Sequence, residues 1–286
     1  MEVEKEHWDI IIKPKNEKFS LNYKEVWKYR DLVRMYIRRD IVTQYKQTIL
    51  GPLWYVIQPL FTSLMYLVIF GNIANISTDG IPHIPFYMSG LLFWNYFSEC
   101  MGRGSSTFAG NAGVFSKVYF PRLVVPISGL ISGLLKLGIQ FALFLGIYIY
   151  YINQGANINP NATILLFPLL ILMSAFMGLG FGIIISSLTV KYRDLAILFG
   201  FLTQLWMYAT PIAYPLSAIP NKVKSFRWIV ELNPMTSIVE TMRYSFMGEG
   251  AFSWWALGYS FVVTIVLVIF GSWIFNKMER KFIDIV

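Results

Sequence analysis

Glu99 and Arg103 stand four residues apart, and Lys136 lies thirteen residues beyond Leu123 at the edge of a long charge-free stretch. On a helix, a spacing of four puts a carboxylate and a guanidinium on one face, within reach of an ion pair. At membrane depth such groups face a bundle interior or a polar path. Near a boundary they sit at the interface, and a lysine there extends its ammonium outward along its apolar stem. Both placements are open for the Glu99–Arg103 pair. The chemistry available is electrostatic, with no catalytic residues. Neither H-E-x-x-H nor G-x-S-x-G occurs, and no carboxylate cluster offers acid–base or metal chemistry. The string "GNAGVFSK" lacks the glycine before its lysine that a phosphate-cradling loop needs, so no ATPase site is expected on this chain. His7 and His83 are far apart and Cys100 is the only cysteine, so no metal set and no internal disulfide are expected.

The elements that position these charges are themselves nearly free of charge. The chain of 286 residues is 56% hydrophobic and 14% charged, where a soluble domain carries about 25% charged residues. Charge is absent from Gly80 to Ser98, Leu137 to Val190, Leu195 to Asn221 and Ala251 to Asn276. A membrane-crossing helix needs about 20 apolar residues, and backbone in lipid must satisfy its own hydrogen bonds. The class is an all-α polytopic membrane protein. Six spans are expected, over 53–75, 85–101, 123–152, 164–188, 195–212 and 252–276. With the N-terminus inside, the inner segments hold nineteen lysines and arginines and the outer loops four. That bias puts both termini in the cytoplasm.

Ahead of the spans, a tail over 1–22 leads into a stretch over 23–50 in which Val26, Tyr29, Val33, Ile37 and Ile41 recur at helical spacing. Lys24, Lys28, Arg34, Arg38 and Arg39 fill much of the remainder. Such a basic amphipathic helix lies in the membrane interface. It serves either as a lipid anchor or as a lever touching a cytoplasmic partner. Gly51-Pro52 then turns the chain into the bilayer. Ser174, Gly178, Gly182 and Ser186, like Gly129 and Gly133, repeat every four residues and suit close helix packing, within the chain or between subunits. The outer region over 213–250 has prolines at 215, 220 and 234 and apolar pieces too short to span. Short re-entrant or interfacial helices fit it. Aromatic residues make up 17% of the chain. Those on the first and fifth spans, Trp54, Tyr55, Phe61, Tyr66, Phe199, Trp206 and Tyr208, suit either ordinary packing and lipid contact or a path for an amphipathic cargo such as a sugar chain.

Six strings occur in order: "YKQTILGPLWYVIQPL", "GLLFWNYFSE", "FSKVYFPRLVVPIS", "KYRDL", "TPIAYPLSAIP" and "ELNPMTSIVETMRYSF". Together they resemble the membrane subunit of ABC-2 type polysaccharide exporters, the permeases for O-antigen, group 2 capsule and teichoic acid. The resemblance covers nearly the whole chain after Tyr23. It implies the ABC-2, or type V exporter, fold: a homodimer with six helices per protomer, docked on two copies of an ATP-binding cassette subunit that carries the ATP and Mg. The cargo it implies is a lipid-linked polysaccharide, O-antigen foremost, crossing the bacterial inner membrane, with no nucleic acid partner. The arm becomes an interface helix. Arg34, Arg38, Arg39, Lys117, Arg122, Tyr192, Arg193 and Asp194 become ATPase-coupling residues. Pro211, Tyr214, Pro215, Asn233, Pro234 and Arg243 become an extracytoplasmic gate, and the aromatic residues of spans one and five line the conduit. Lys136 receives no role. An ABC-2 exporter of another substrate, such as teichoic acid, capsule, drug or lipid, is the first alternative. A membrane-embedded glycan-modifying enzyme is the second, and it needs a polar triad that the sequence lacks.

Overall fold

The computed structural model describes residues 23–46, 48–219 and 224–285. The tail over 1–22 with His7, and Pro220 and Lys222 of the outer region, lie outside them. The architecture is all-helical, with no strand among the described residues.

The arm consists of α1 (Tyr23–Lys28) and α2 (Arg30–Tyr45). After it, Gly51 adopts φ +48°, and Pro52 opens a tight turn over Gly51–Leu53. Glycine tolerates that left-handed backbone, and proline suits the first turn of a helix, where no N–H partner exists. The turn leads into α3 (Trp54–Tyr66), which continues as a wider π-helical stretch over Leu67–Ile73.

Four helices are long and apolar enough to cross a membrane: Gly51–Ile73, Val124–Asn153, Ala162–Thr189 and Trp254–Glu279. They coincide with the expected first, third, fourth and sixth spans. The expected second span falls within α4 (His83–Ser105), a 23-residue helix that carries Asn95, Glu99 and Arg103 and is mostly buried. α5 (Thr107–Phe115) follows it, then α6 (Val124–Asn153) and α7 (Phe167–Thr189). The expected fifth span, 195–212, is a shorter helix, α8 (Leu195–Tyr208). Its 14 residues measure about 21 Å, less than the roughly 30 Å of hydrocarbon. The chain leaves the helix through Ala209 and Thr210, just before Pro211, because the residue preceding a proline is pushed out of the α conformation. α9 (Lys224–Leu232), α10 (Pro234–Met247) and α11 (Trp254–Ile285) complete the order.

α4 is the axis of the fold. It packs on α7 on one side and α6 on the other, while α7 packs in turn on α11. The four-residue stripe on α7 forms the first seam. A Cβ added at Gly178 would fall 2.5 Å from the Phe97 carbonyl oxygen, and one at Gly182 would fall 2.8 Å from Gly104 Cα. Ser186 at the end of the stripe accepts a hydrogen bond from the Phe108 N–H at 3.1 Å. The stripe therefore packs helices within the chain. Gly129 and Gly133 act likewise on α6, against Arg103 and Tyr96 of α4. α3 and α8 flank this core but barely enter it. α3 buries only Pro59 and Ser63, and α8 buries no residue.

Candidate functional site

The expected Glu99–Arg103 pair forms, with Arg103 Nε 3.1 Å and Nη2 3.0 Å from Glu99 Oε1. It is the middle of a longer chain of charge. Arg103 Nη1 also reaches Asp40 Oδ2 on the arm at 2.9 Å, and Arg39 holds the other oxygen of Asp40 at 2.9 Å. On the far side Lys136 Nζ lies 3.2 Å from Glu99 Oε2. The order Arg39–Asp40–Arg103–Glu99–Lys136 alternates in sign along its whole length and ties α2 to α4 and α4 to α6. The inner three members are 14–22% exposed and Lys136 26%, so water and salt screen these pairs less than surface ones. Gly129 makes room for the chain, because a Cβ there would sit 3.0 Å from Arg103 Cδ. Tyr55 closes the joint onto α3. Its hydroxyl donates to the Gln44 side chain on the arm, and its ring centroid lies 5.4 Å from Lys136 Nζ. Sequence spacing identifies the i,i+4 pair. Asp40 and the role of Lys136 escape it, because their partners are 63 and 37 residues away (Arg103 and Glu99).

The arm is also held by apolar contact. Val33 and Tyr36 are buried in a cluster with Phe108, Phe115, Phe120, Leu123 and Phe275. Of the expected coupling residues, Arg34 is exposed and sits 3.6 Å from Asp31, and Arg38 is exposed. Arg39 lies over the Tyr36 ring at 4.3 Å while it holds Asp40. Lys117, Tyr192, Arg193 and Asp194 are exposed at the same end of the bundle as the arm. Arg122 differs. Only 6% exposed, it stacks between the rings of Phe108 and Phe115 and donates to the Glu279 carbonyl at 3.1 Å.

At the opposite end lies α10. Every residue of it except Tyr244 is buried. Asn233 caps its start and joins it to the end of α8. The Asn233 Oδ1 accepts from Met235 N at 3.0 Å and from Trp206 Nε1 at 2.9 Å, while its Nδ2 donates to the Ala209 carbonyl and Thr210 Oγ1. All four hydrogen-bonding positions of the amide are thus used. Nearly three turns further along α10, Arg243 is 1% exposed. Its Nη1 bonds Glu240 Oε1 at 3.0 Å, its Nη2 donates to the Ile212 carbonyl at 2.9 Å, and its plane lies 3.6 Å from the Phe86 ring centroid. Burial pushes the guanidinium pKa down to about 10 and the Glu240 carboxylate opposes that shift, so the guanidinium stays charged at neutral pH. Glu240 in turn accepts from Ala251 N at 2.9 Å. Pro211 and Pro215 are buried beside this pair and Tyr214 is half-buried, its hydroxyl donating to the Tyr208 carbonyl at 2.9 Å. Pro234 starts α10.

The aromatic candidates divide. Trp54, Phe61 and Tyr208 are 51–65% exposed on α3 and α8. Tyr66 packs edge-on against Phe70 and Tyr87, and Phe199 is half-buried. Trp206 turns inward, against Trp94, Phe97 and Phe181, with its N–H spent on Asn233.

The pattern of the family described as "ABC-2 type transporter" matches residues 31–247. The chain is 29% identical over 262 residues to the O-antigen export system permease protein RfbA of Myxococcus xanthus, covering 91% of this chain and 97% of that one. An O-antigen export system permease protein RfbA of Klebsiella pneumoniae is 28% identical, over 89% of this chain and 95% of its own. The polysialic acid transport protein KpsM of Escherichia coli is 28% identical over 85% and 91%.

Proposed function

We propose that this chain, which belongs to the ABC-2 type transporter family, is the membrane-spanning permease subunit of an ATP-driven exporter of a lipid-linked polysaccharide, with O-antigen as the foremost cargo. The observation that carries the cargo class is the end-to-end similarity to O-antigen export permeases, over 91% of this chain and 97% of the Myxococcus xanthus protein. In this reading two copies of the chain pair, and each docks on one ATP-binding cassette subunit, where ATP and Mg are held and hydrolysed. The chain itself makes and breaks no covalent bond. α4 and α8 join the four long helices as second and fifth spans, and both termini face the cytoplasm, as the excess of lysine and arginine on that side favours.

The mechanism is one of transmitted force. The arm is the part of the chain nearest the docked ATPase. When nucleotide binding moves the partner, α2 moves with it. The alternating charges pass that displacement to α4 through Asp40 and Arg103 and to α6 through Glu99 and Lys136, and Gln44 and Tyr55 pass it to α3. Gly51-Pro52 is where α3 changes angle relative to the arm. α3 and α8 are the helices least anchored in the core, so they are the ones free to move apart and admit the cargo. At the far end α8 is fastened to α10 by Asn233, which links conduit movement to that helix. Co-expression of the chain with the ATP-binding gene beside it tests the proposal. A detergent-stable 2:2 complex with ATPase activity is the expected result. A well-folded chain that captures no such partner would overturn it.

A further inference from the structure

We infer that a polar cavity between α3, α4 and α6 binds a phosphate carried by a lipid, with Lys136 as its cation and the Gln140 amide as a donor. The cavity has a volume of about 80 Å3 and is lined by Gln58, Pro59, Thr62, Leu91, Asn95, Lys136 and Gln140. It lies near the middle of α6, since Gln140 is sixteen residues beyond Val124, about 24 Å along the axis. A polar cavity at that depth is costly unless it is used. Gln140 is only 4% exposed, and its side chain makes no hydrogen bond to any described residue. Its amide atoms are not sealed in the bundle but open onto the cavity, where a ligand can supply the hydrogen bonds that the protein does not. Lys136 spends one of its three N–H groups on Glu99 Oε2 at 3.2 Å, leaving two for the cavity. Gln58 is exposed on α3 and Thr62 half-buried behind it, so the cavity communicates with the outer face of α3, which the bundle leaves uncovered.

The lining selects its ligand. A cation would meet the Lys136 ammonium, the only ionised group among the lining residues. An apolar group would leave the amides of Asn95 and Gln140 unsatisfied. At about 30 Å3 per water-sized group, the space holds two or three such groups, the scale of one phosphate and smaller than a hexose ring. An oxyanion there accepts from the ammonium and from several amide N–H groups at once, the arrangement that gives the stronger, charge-assisted hydrogen bonds. A phosphate drawing on Lys136 also competes with Glu99 for the same ammonium. Occupancy of the cavity would thereby be felt along the charge chain, back to Asp40 on the arm. That a lipid brings the phosphate rests on the exporter reading. The binding test below needs no ATPase, so its failure is separate from the failure of that reading.

The test is native mass spectrometry of the purified chain in detergent, titrated with a polyprenyl diphosphate, the matching polyprenol and phosphatidylglycerol. The diphosphate should be retained at least tenfold better than the polyprenol, about the worth of one hydrogen bond to a charged group. Lys136→Gln should remove most of that preference, and Lys136→Arg should restore part of it. Gln140→Leu should weaken retention while leaving the Glu99–Lys136 contact in place, and it decides the question if Lys136→Gln does not fold. Lys136-dependent retention of phosphatidylglycerol equal to that of the diphosphate would assign the site to a bilayer lipid. A preference for the diphosphate would assign it to the cargo carrier. Equal retention of diphosphate and polyprenol by the unmodified chain, or full retention by both Lys136→Gln and Gln140→Leu, would overturn the inference.

Discussion

Arg103 is the residue on which the charged joint turns, because it alone touches carboxylates on two elements, Asp40 of the arm and Glu99 of its own helix. Arg103→Ala strands both acids in a partly buried place. Removing one partner from such a network costs more than the pair contributes, since the remaining charge keeps its desolvation penalty. The expected loss is about 2–4 kcal/mol, read as a lower thermal midpoint in detergent, and Arg103→Lys should recover only part of it because lysine lacks the fork that bridges two carboxylates. An unchanged midpoint for Arg103→Ala would show that the chain of charge carries no load. The same logic applies to Glu240. Glu240→Gln takes from the 1%-exposed Arg243 the carboxylate it is paired with, so it should destabilise by about 3–5 kcal/mol. Equal midpoints for Glu240→Gln and the unmodified protein would refute that. Asn233 adds a lesson about recognition. Its place before Pro234 marks a helix start in the sequence, but its bonds to Trp206, Ala209 and Thr210 come from a helix more than twenty residues back.

At the scale of elements, the arm and the α4–α7 seam make opposite demands. The seam must stay closed. A side chain at Gly182 meets backbone of α4 from its first carbon, with Gly104 Cα at 2.8 Å and the Met101 carbonyl oxygen at 2.7 Å. Gly182→Leu should therefore push the two helices apart, at a cost of about 1–3 kcal/mol or more, and should lower the yield of folded protein. Gly138→Leu, on the open side of α6 where a Cβ meets nothing within 4 Å, is the matched control and should be tolerated. Similar behaviour of the two variants would remove the seam argument. The arm, by contrast, has to move in the proposed mechanism. Arg38 and Arg39 lie on its exposed side, and changing both to Glu reverses the charge offered to a partner. It also sets an acid beside Asp40 at the head of the charge chain. Partner-stimulated ATP turnover should fall several-fold while the chain remains folded. Unaltered turnover would leave the arm as a membrane anchor only.

For the whole molecule, the two ends answer to each other through α4 and α8. α4 carries Arg103 and Glu99 near the arm and Phe86 beneath Arg243 of α10 at the other end, so a shift of this one helix is felt at both. α8 runs from the exposed Tyr192–Asp194 loop to Trp206 and Asn233. Trp206→Ala and Tyr208→Ala are both expected to impair glycan export, for different reasons. Tyr208, 55% exposed, is proposed to meet the cargo with its ring and packs little against the bundle, so its loss should leave stability unchanged. Trp206 holds α8 to α4, α7 and Asn233, so its loss should lower the thermal midpoint as well. Normal glycan display at the cell surface in both variants would refute a role for this helix in the path.

Much of this was legible in the residues alone. Uncharged stretches of about 20 residues and the break at Gly51-Pro52 dictated an all-helical membrane fold with a polar arm, because burial in lipid and helix geometry act locally along the chain. The i,i+4 spacing of Glu99 and Arg103 and the four-residue stripe on α7 were equally local and equally readable. The tertiary structure alone decided that Asp40 and Lys136 complete the charge chain, that α10 is buried along nearly its whole length, and that Trp206 faces inward. Each of these depends on groups brought together from distant parts of the sequence, and no local period records which face of a helix, apolar all round, will meet protein and which will be left to lipid or cargo.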